Sequence, residues 1–427
     1  MYKNTNKNEK GAAILIAIIL FLFISMTIIL GMVNPILKQA SVSKNLTVSK
    51  ESYYLANGAL EDVFYRLKNN KLVSSSETLS LNNAVTTTVT TDTPTGKQII
   101  STADNNTNIR KIQTNVVLGT GASFNYGIQS GQGGFILENS ASVTGNVYSS
   151  GSVTGSGNNI YGDAVSSGPS GLISGIHTTG SAYANTIQNS DVDLNAYYVT
   201  KISTTVNGIS YPNSADQPTL PMPISDEQIT ELEADALAGG VISSPCPYKI
   251  TSDRTIGPVK ITCNLEISGS PTVTLNGSVW VTGNVSIKNT AIIRISSGLG
   301  NKSVAIIADN PSNKTTSSKI DMVNSSQFFG SGSPNSFVFL ISQNNSAELG
   351  GGEEAMEMDN SSSGKLVLYA SHGLININNN TTLKEVTGYK IKAKNSANII
   401  YDTGLVNTLF TSGPGGGYEI VDWQEVE

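Results

Sequence analysis

The run AAILIAIILFLFISMTIILGMV, residues 12–33, decides the fold. It carries no charge, and only Ser25, Thr27 and Gly31 interrupt its large apolar side chains. A helix rises about 1.5 Å per residue, so roughly twenty such residues span a hydrocarbon core of ~30 Å. In lipid every backbone N–H and C=O must be bonded inside the segment, and a helix is the only single-segment solution. A buried helix of a soluble protein seldom stays apolar on every face for so long. Residues 12–33 are therefore expected to form a transmembrane helix. Lys3, Lys7 and Lys10 outweigh Glu9 on its N-terminal side. Positive flanks stay in the cytoplasm, which puts the N-terminus inside and the rest of the chain outside. The apolar core is longer than that of a secretory signal, and Gly31-Met32-Val33-Asn34-Pro35 offers no small-residue cleavage pattern. The anchor is expected to stay attached.

Past the apolar run the periodicity changes. Over residues 34–68, Val42, Leu46, Ser49, Tyr53, Ala56, Leu60, Val63 and Leu67 recur three and four apart. That is one stripe of an amphipathic helix. Most of the charged residues, Lys44, Lys50, Glu61 and Arg66 among them, fall off the stripe. Leu46, Tyr53, Ala56, Leu60, Val63 and Leu67 are the candidate packing residues. They would face either like helices of other subunits or the globular part of the same chain.

Lys10-Gly11 followed by the long apolar run, and then ESYYLANGALEDVFYRLK, resembles the type IV pilin class and specifically its PilX-type minor pilins. The resemblance covers roughly residues 7–68. It implies a basic cytoplasmic leader of residues 1–11, cut after Gly11 by a prepilin peptidase, with Ala12 as the new N-terminus. It also implies other pilin-like subunits as partners, packed through the N-terminal helix, and a place in the bacterial cell membrane or on the cell surface. Where major pilins carry Glu five residues after the cut, this chain has Ile16. In that it resembles certain tip-located minor pilins.

Composition bounds what lies outside. Of 427 residues only 14% are charged, and the net charge is −6. An acidic chain so poor in Lys and Arg is not a nucleic-acid binder. Gly, Ser, Thr and Asn take the place of charge, which suits short strands joined by tight polar corners. Residues 69–122 read as a β-rich transition of Thr, Val and Ile, with a hairpin over 98–118 turning at Asp104-Asn105-Asn106 and strands that cover or cap the β body beyond it. Residues 123–211 place Phe135, Leu137, Val143, Val147, Val153, Ile160 and Val165 four to eight apart, and residues 245–427 repeat the pattern more strongly. Val143-Thr-Gly-Asn-Val147 returns unchanged as Val281-Thr-Gly-Asn-Val285. Continuous apolar runs at 304–308, 337–341 and 366–370 suit strands buried on both sides. The expected fold is mainly β with a long N-terminal helix. The β part is read as a right-handed parallel β-solenoid (β-helix) in two regions, and a β-sandwich is the alternative. Residues 212–244 form a Pro-rich linker holding a short helix over 226–238, capped by Ser225 and ended by Gly239-Gly240. The aromatic tail with Tyr418 and Trp423 is expected to protect the edge of the last coil.

Cys246 and Cys263 are the only cysteines. An even count in a chain that leaves the cytosol points to one disulfide. No zinc spacing, P-loop, GxSxG or HExxH occurs. The densest acidic run, residues 353–359, reads as an exposed loop after three glycines. Catalysis, cofactors and metals are not expected. The reading is a pilin-like structural or adhesive surface subunit, a minor component of a type IV pilus or a related filament. The alternative is a stand-alone membrane-anchored surface protein, such as a carbohydrate-binding module. The partners expected of the chain as a pilin-like subunit are membrane lipid, other pilin-like subunits through the N-terminal helix, the prepilin peptidase and surface glycans.

Overall fold

The computed structural model describes residues 9–68, 73–81, 84–93, 96–118, 121–410 and 418–426. Residues 1–8 of the expected leader lie outside them, and Lys10, Gly11 and Ala12 are placed only as helical backbone. The chain is mainly β with one long apolar N-terminal helix, and it divides into two compact units.

The first unit holds residues 1–117 and 418–427. Its helix α1 runs Glu9–Lys68 without a break through Pro35. Side chains from Ile14 to Val33 are exposed almost throughout, while Ala56, Leu60, Val63 and Leu67 are buried. The helix lays that second stretch on an antiparallel sheet. The sheet takes Ser76–Leu81, Ala84–Thr93, Gly96–Asn105 and Asn108–Leu118 in order and ends with Tyr418–Val426. Ile99, Ala103, Ile112 and Val116 supply its side of the core. The turn falls at Asn106 and Thr107, both at positive φ (50° and 68°), as the tightest hairpins require. The strands expected to cover the β body pack on α1 instead. The aromatic tail is likewise a strand of this sheet rather than a cap on the last coil. Trp423 packs beside the α1 core and donates from Nε1 to Asn57 Oδ1 at 3.0 Å.

The second unit, Leu118–Gly417, is built on one 34-stranded sheet, parallel almost throughout. Across most of it each strand pairs with the strand three later, so the chain returns to the same edge after every third strand. That makes successive coils with three faces, unlike the antiparallel ladders of a sandwich. The two β stretches seen in the sequence share the sheet, but in reversed order. Coils from Val241–Ile242 run up to Glu385–Ala393 and Asn398–Ile400. These pair in parallel with Ile128–Leu137 and Ser142–Thr144, the first strands of the earlier stretch. The stack then continues to Ser210–Pro212.

A reversed order needs a return path, and residues 213–240 provide it along one face. Tyr148 Oη donates to Pro218 O at 2.6 Å, Gln129 Nε2 to Pro221 O at 2.8 Å, and Tyr369 Oη to Ile224 O. Helix α2, Asp226–Ala238, comes next, with Ser225 and Gln228 forming a capping box. It seats Ile229 and Leu232 against Ala305, Ile307, Phe339, Ile341 and Val367, which explains why those strands are apolar on both sides.

Corners are tied by asparagine. Asn139, Asn289, Asn324, Asn360, Asn379 and Asn395 sit at positive φ, which Asn tolerates better than most residues. Their amides link coil to coil: Asn395 donates to Asn379 at 3.2 Å within one stretch, and Asn139 donates to Asn395 at 3.0 Å across the break in sequence order. In both copies of VTGNV the Asn oxygen accepts a backbone N–H of the next coil, at 2.9 Å for Asn146 and 3.1 Å for Asn284. The acidic run is a correction. Glu354–Asp359 is a strand with Ala355, Met356 and Met358 buried, because its apolar residues occupy inward positions of the coil.

Candidate functional site

Two features stand out, one in each unit. In the first it is the surface of α1. From Ile14 to Val33 the helix exposes Ile, Leu, Phe and Met on all sides, and it is long and apolar enough to cross a membrane. The candidate packing residues divide. Leu46 is 54% exposed and Tyr53 36%, whereas Ala56, Leu60, Val63 and Leu67 are spent on the chain's own sheet. Polar ties hold that second part: Arg110 Nε donates to Ser49 Oγ at 2.8 Å and Ser52 Oγ to Asn108 O at 2.7 Å. Beside it lies a cavity of about 580 Å³ lined by Val48, Tyr54, Leu55, Leu79 and Leu81 among others. Cys246 and Cys263 are bonded, with Cα atoms 5.9 Å apart, and tie the entry of the strand Tyr248–Ile250 to the next coil.

In the second unit a polar pocket of about 270 Å³ opens beside α2. Asp226, Ile229, Thr230 and Glu233 recur three to four apart and so form one wall from one helical face. The opposite wall comes from three consecutive coils as each leaves the covered face. Asp309 comes after the strand Lys302–Ala308, Gln343 after Val338–Ser342, and His372 lies in Leu366–Ile377. His372 bridges two carboxylates, Glu348 at Nδ1 (2.6 Å) and Asp226 at Nε2 (3.0 Å). Burial works to lower its pKa, but hydrogen bonds and charge from Asp226 and Glu348 outweigh that and raise it. Lys314 Nζ lies 3.1 Å from Asp309 Oδ2 and donates to Gln343 Oε1 at 3.3 Å. Glu233 is raised to about 8, first by burial and then by the charge and hydrogen bonding of Asp309. Such a neutral carboxyl can hold or release a proton near neutral pH.

Sequence reading did not assemble this pocket. Asp226 was visible only as a helix-start residue, and Asp309, Lys314, Gln343 and Glu348 lie at coil exits with no shared motif. The α2 face at i, i+3/i+4 and i+7 was the one available signal. Among the described residues no group of three or more His, Cys, Asp or Glu is arranged to hold a metal ion.

No protein-family model matches the chain, and no curated protein matches it either. Among solved structures it is similar to the competence-associated pilin ComZ from Thermus thermophilus, at 11% identity and a TM-score of 0.39, covering 89% of this chain and 98% of that one.

Proposed function

We propose that this chain is a pilin-like structural subunit of a bacterial surface, held in the membrane by the first half of α1 and presenting its β units outside. The observation that carries the reading is the uncharged, exposed apolar surface of residues 14–33. In water about 25 cal/mol would be lost per Å² of it, so it calls for lipid or for like helices. The finer reading is a PilX-type minor pilin, cut after Gly11 by a prepilin peptidase, with a right-handed solenoid that serves in adhesion and carries no catalysis. Ile16 favours a second reading, a membrane-anchored surface protein outside any filament. The resemblance puts a carboxylate there in major pilins, to meet a neighbour's new amino group, and Ile16 offers none.

Shearing cells and probing the released filaments separates the two. The chain in sheared filaments, beginning at Ala12 by mass spectrometry, supports the subunit. The chain wholly in the membrane fraction, with Met1 retained, overturns it. A Gly11→Asp variant should stay uncut and be missing from the sheared material.

A further inference from the structure

The pocket beside α2 holds hydrogen-bonding capacity that the chain leaves unused. Glu233, Asp309 and Gln343 are 7%, 4% and 2% exposed. Gln343 Nε2 has no acceptor, and Glu233 Oε1 and Asp309 Oδ1 have no donor besides the proton that the two carboxyls share. All three residues line the same cavity. Lys314 holds Gln343 Oε1, so Nε2 is the end left free. A buried polar group without a full set of partners is costly, so a molecule that satisfies these atoms binds by removing that cost.

Charge narrows the class. Four carboxyls line the space, Asp226, Glu233, Asp309 and Glu348, against two basic groups, Lys314 and His372. His372 is committed to Asp226 and Glu348, and Lys314 to Asp309 Oδ2 and Gln343. The remaining acceptors face a space with excess negative charge. We propose that this pocket binds a small hydroxylated amine, its primary ammonium seated between Glu233 Oε1 and Asp309 Oδ1 and an oxygen of its carrier meeting Gln343 Nε2. An ammonium brings three donors and no acceptor, which suits two carboxyl oxygens that otherwise share a single proton. A volume of about 270 Å³ admits a molecule of monosaccharide size, below the range of drug-sized ligands. Amino sugars supply both the ammonium and the oxygen, whereas aliphatic polyamines supply the ammonium alone. The amide donor favours the amino sugar. Binding there depends on neither filament assembly nor the membrane anchor.

A proton competes for the same place. Glu233 faces Asp309, Lys314 and Lys260, while Asp226 lies farther along the same helical face and Glu348 and His372 line the pocket beside it. Binding should therefore weaken as pH falls below the Glu233 titration.

The test is calorimetric titration of the full-length protein in detergent at constant ionic strength, with D-glucosamine, putrescine and N-acetylglucosamine as probes. Glucosamine should saturate a single site, putrescine should bind more weakly, and N-acetylglucosamine should give no saturable heat. Glu233→Gln and Asp309→Asn should each weaken glucosamine by about tenfold or more. Thr230→Lys, which tethers an ammonium at the pocket, should block the probe while the melting curve stays that of the parent, so the test survives if the carboxamide variants misfold. No saturable heat from either amine overturns the proposal. So does N-acetylglucosamine binding as well as glucosamine, or parental affinity in Thr230→Lys. Putrescine binding as tightly as glucosamine overturns the part given to Gln343.

Discussion

Glu233 shows how one residue links folding to pH. Its carboxyl sits on α2 against Asp309 and titrates at about 8 in the folded chain, against 4.5 for the free group. A carboxyl raised in this way holds its proton when folded and loses it when unfolded throughout the interval. Its contribution is therefore greatest below about 4.5 and falls as pH climbs towards 8. The slope is at most about 1.4 kcal/mol per pH unit. His372, raised by Asp226 and Glu348, loses its contribution in the same direction as its proton leaves. Glu233→Gln removes only the first part. Urea midpoints measured from acid to mild alkali should fall for the parent and fall less steeply for the variant, with the two curves furthest apart near pH 8. Parallel curves would mean that Glu233 is ordinary in the folded state.

At the scale of the element, α1 is one helix with two surroundings. The uniform apolar run was plain in the sequence because nothing polar breaks it. The stripe after it was also plain, but a stripe states only that a helix has a partner, not which one. Ala56, Leu60, Val63 and Leu67 meet Ile99, Ile112 and Val116, strand residues some thirty or more positions away that carry no mark of the pairing. Leu46 and Tyr53 belong to the same stripe and stay exposed. Leu60→Ala should therefore cost about 2–5 kcal/mol, the range for a buried leucine. Leu46→Ala should stay within about 0.5 kcal/mol. Trp423 packs beside this core, so its fluorescence in a Trp280→Phe background tracks the unit's denaturation. Equal losses at the two positions would mean that Leu46 also has a partner within the chain. Helix α2 was legible down to its ends, because Ser225, Gln228 and Gly239 are local signals and need no distant residue. Its pocket was not, because Asp309, Gln343 and His372 meet only once three coils are stacked.

On the scale of the whole molecule, the coil periodicity could be read but the reversed order of the two stretches could not. Each stretch shows inward aliphatics at coil spacing, and nothing local says which end meets which. The ends of the stack carry a clearer signature once the register is known. On one face the inward column runs Tyr248, Leu265, Val285, Ile320, Met356, Ile375, Ile391, Phe135, Val153, Ile173 and Ile187, then closes on Lys201. On another, Phe328, Ile293 and Val273 lead at the opposite end to Arg254. Each cation lies by a tyrosine of its end coil. Lys201 Nζ is 5.8 Å from the Tyr198 ring, and Arg254 Nη1 donates to Tyr248 Oη at 2.6 Å. An open parallel edge invites another strand, and a charge at an inward position is a known guard against it. Were one stack to meet the end of another, Lys201 and Arg254 would approach as like charges shut away from water. The chain itself shows that coils join end to end when apolar side chains meet, since Ile391 abuts Phe135 across the sequence break. The double variant Lys201→Ile with Arg254→Val should thus associate head to tail. Such contacts do not close on themselves, so the average mass should rise with concentration rather than stop at a dimer. Sedimentation velocity in detergent, with the parent in the same micelles as reference, reads this directly. A variant whose distribution matches the parent at every concentration would leave edge protection to Pro212 and Pro247, which lack the N–H a pairing strand needs.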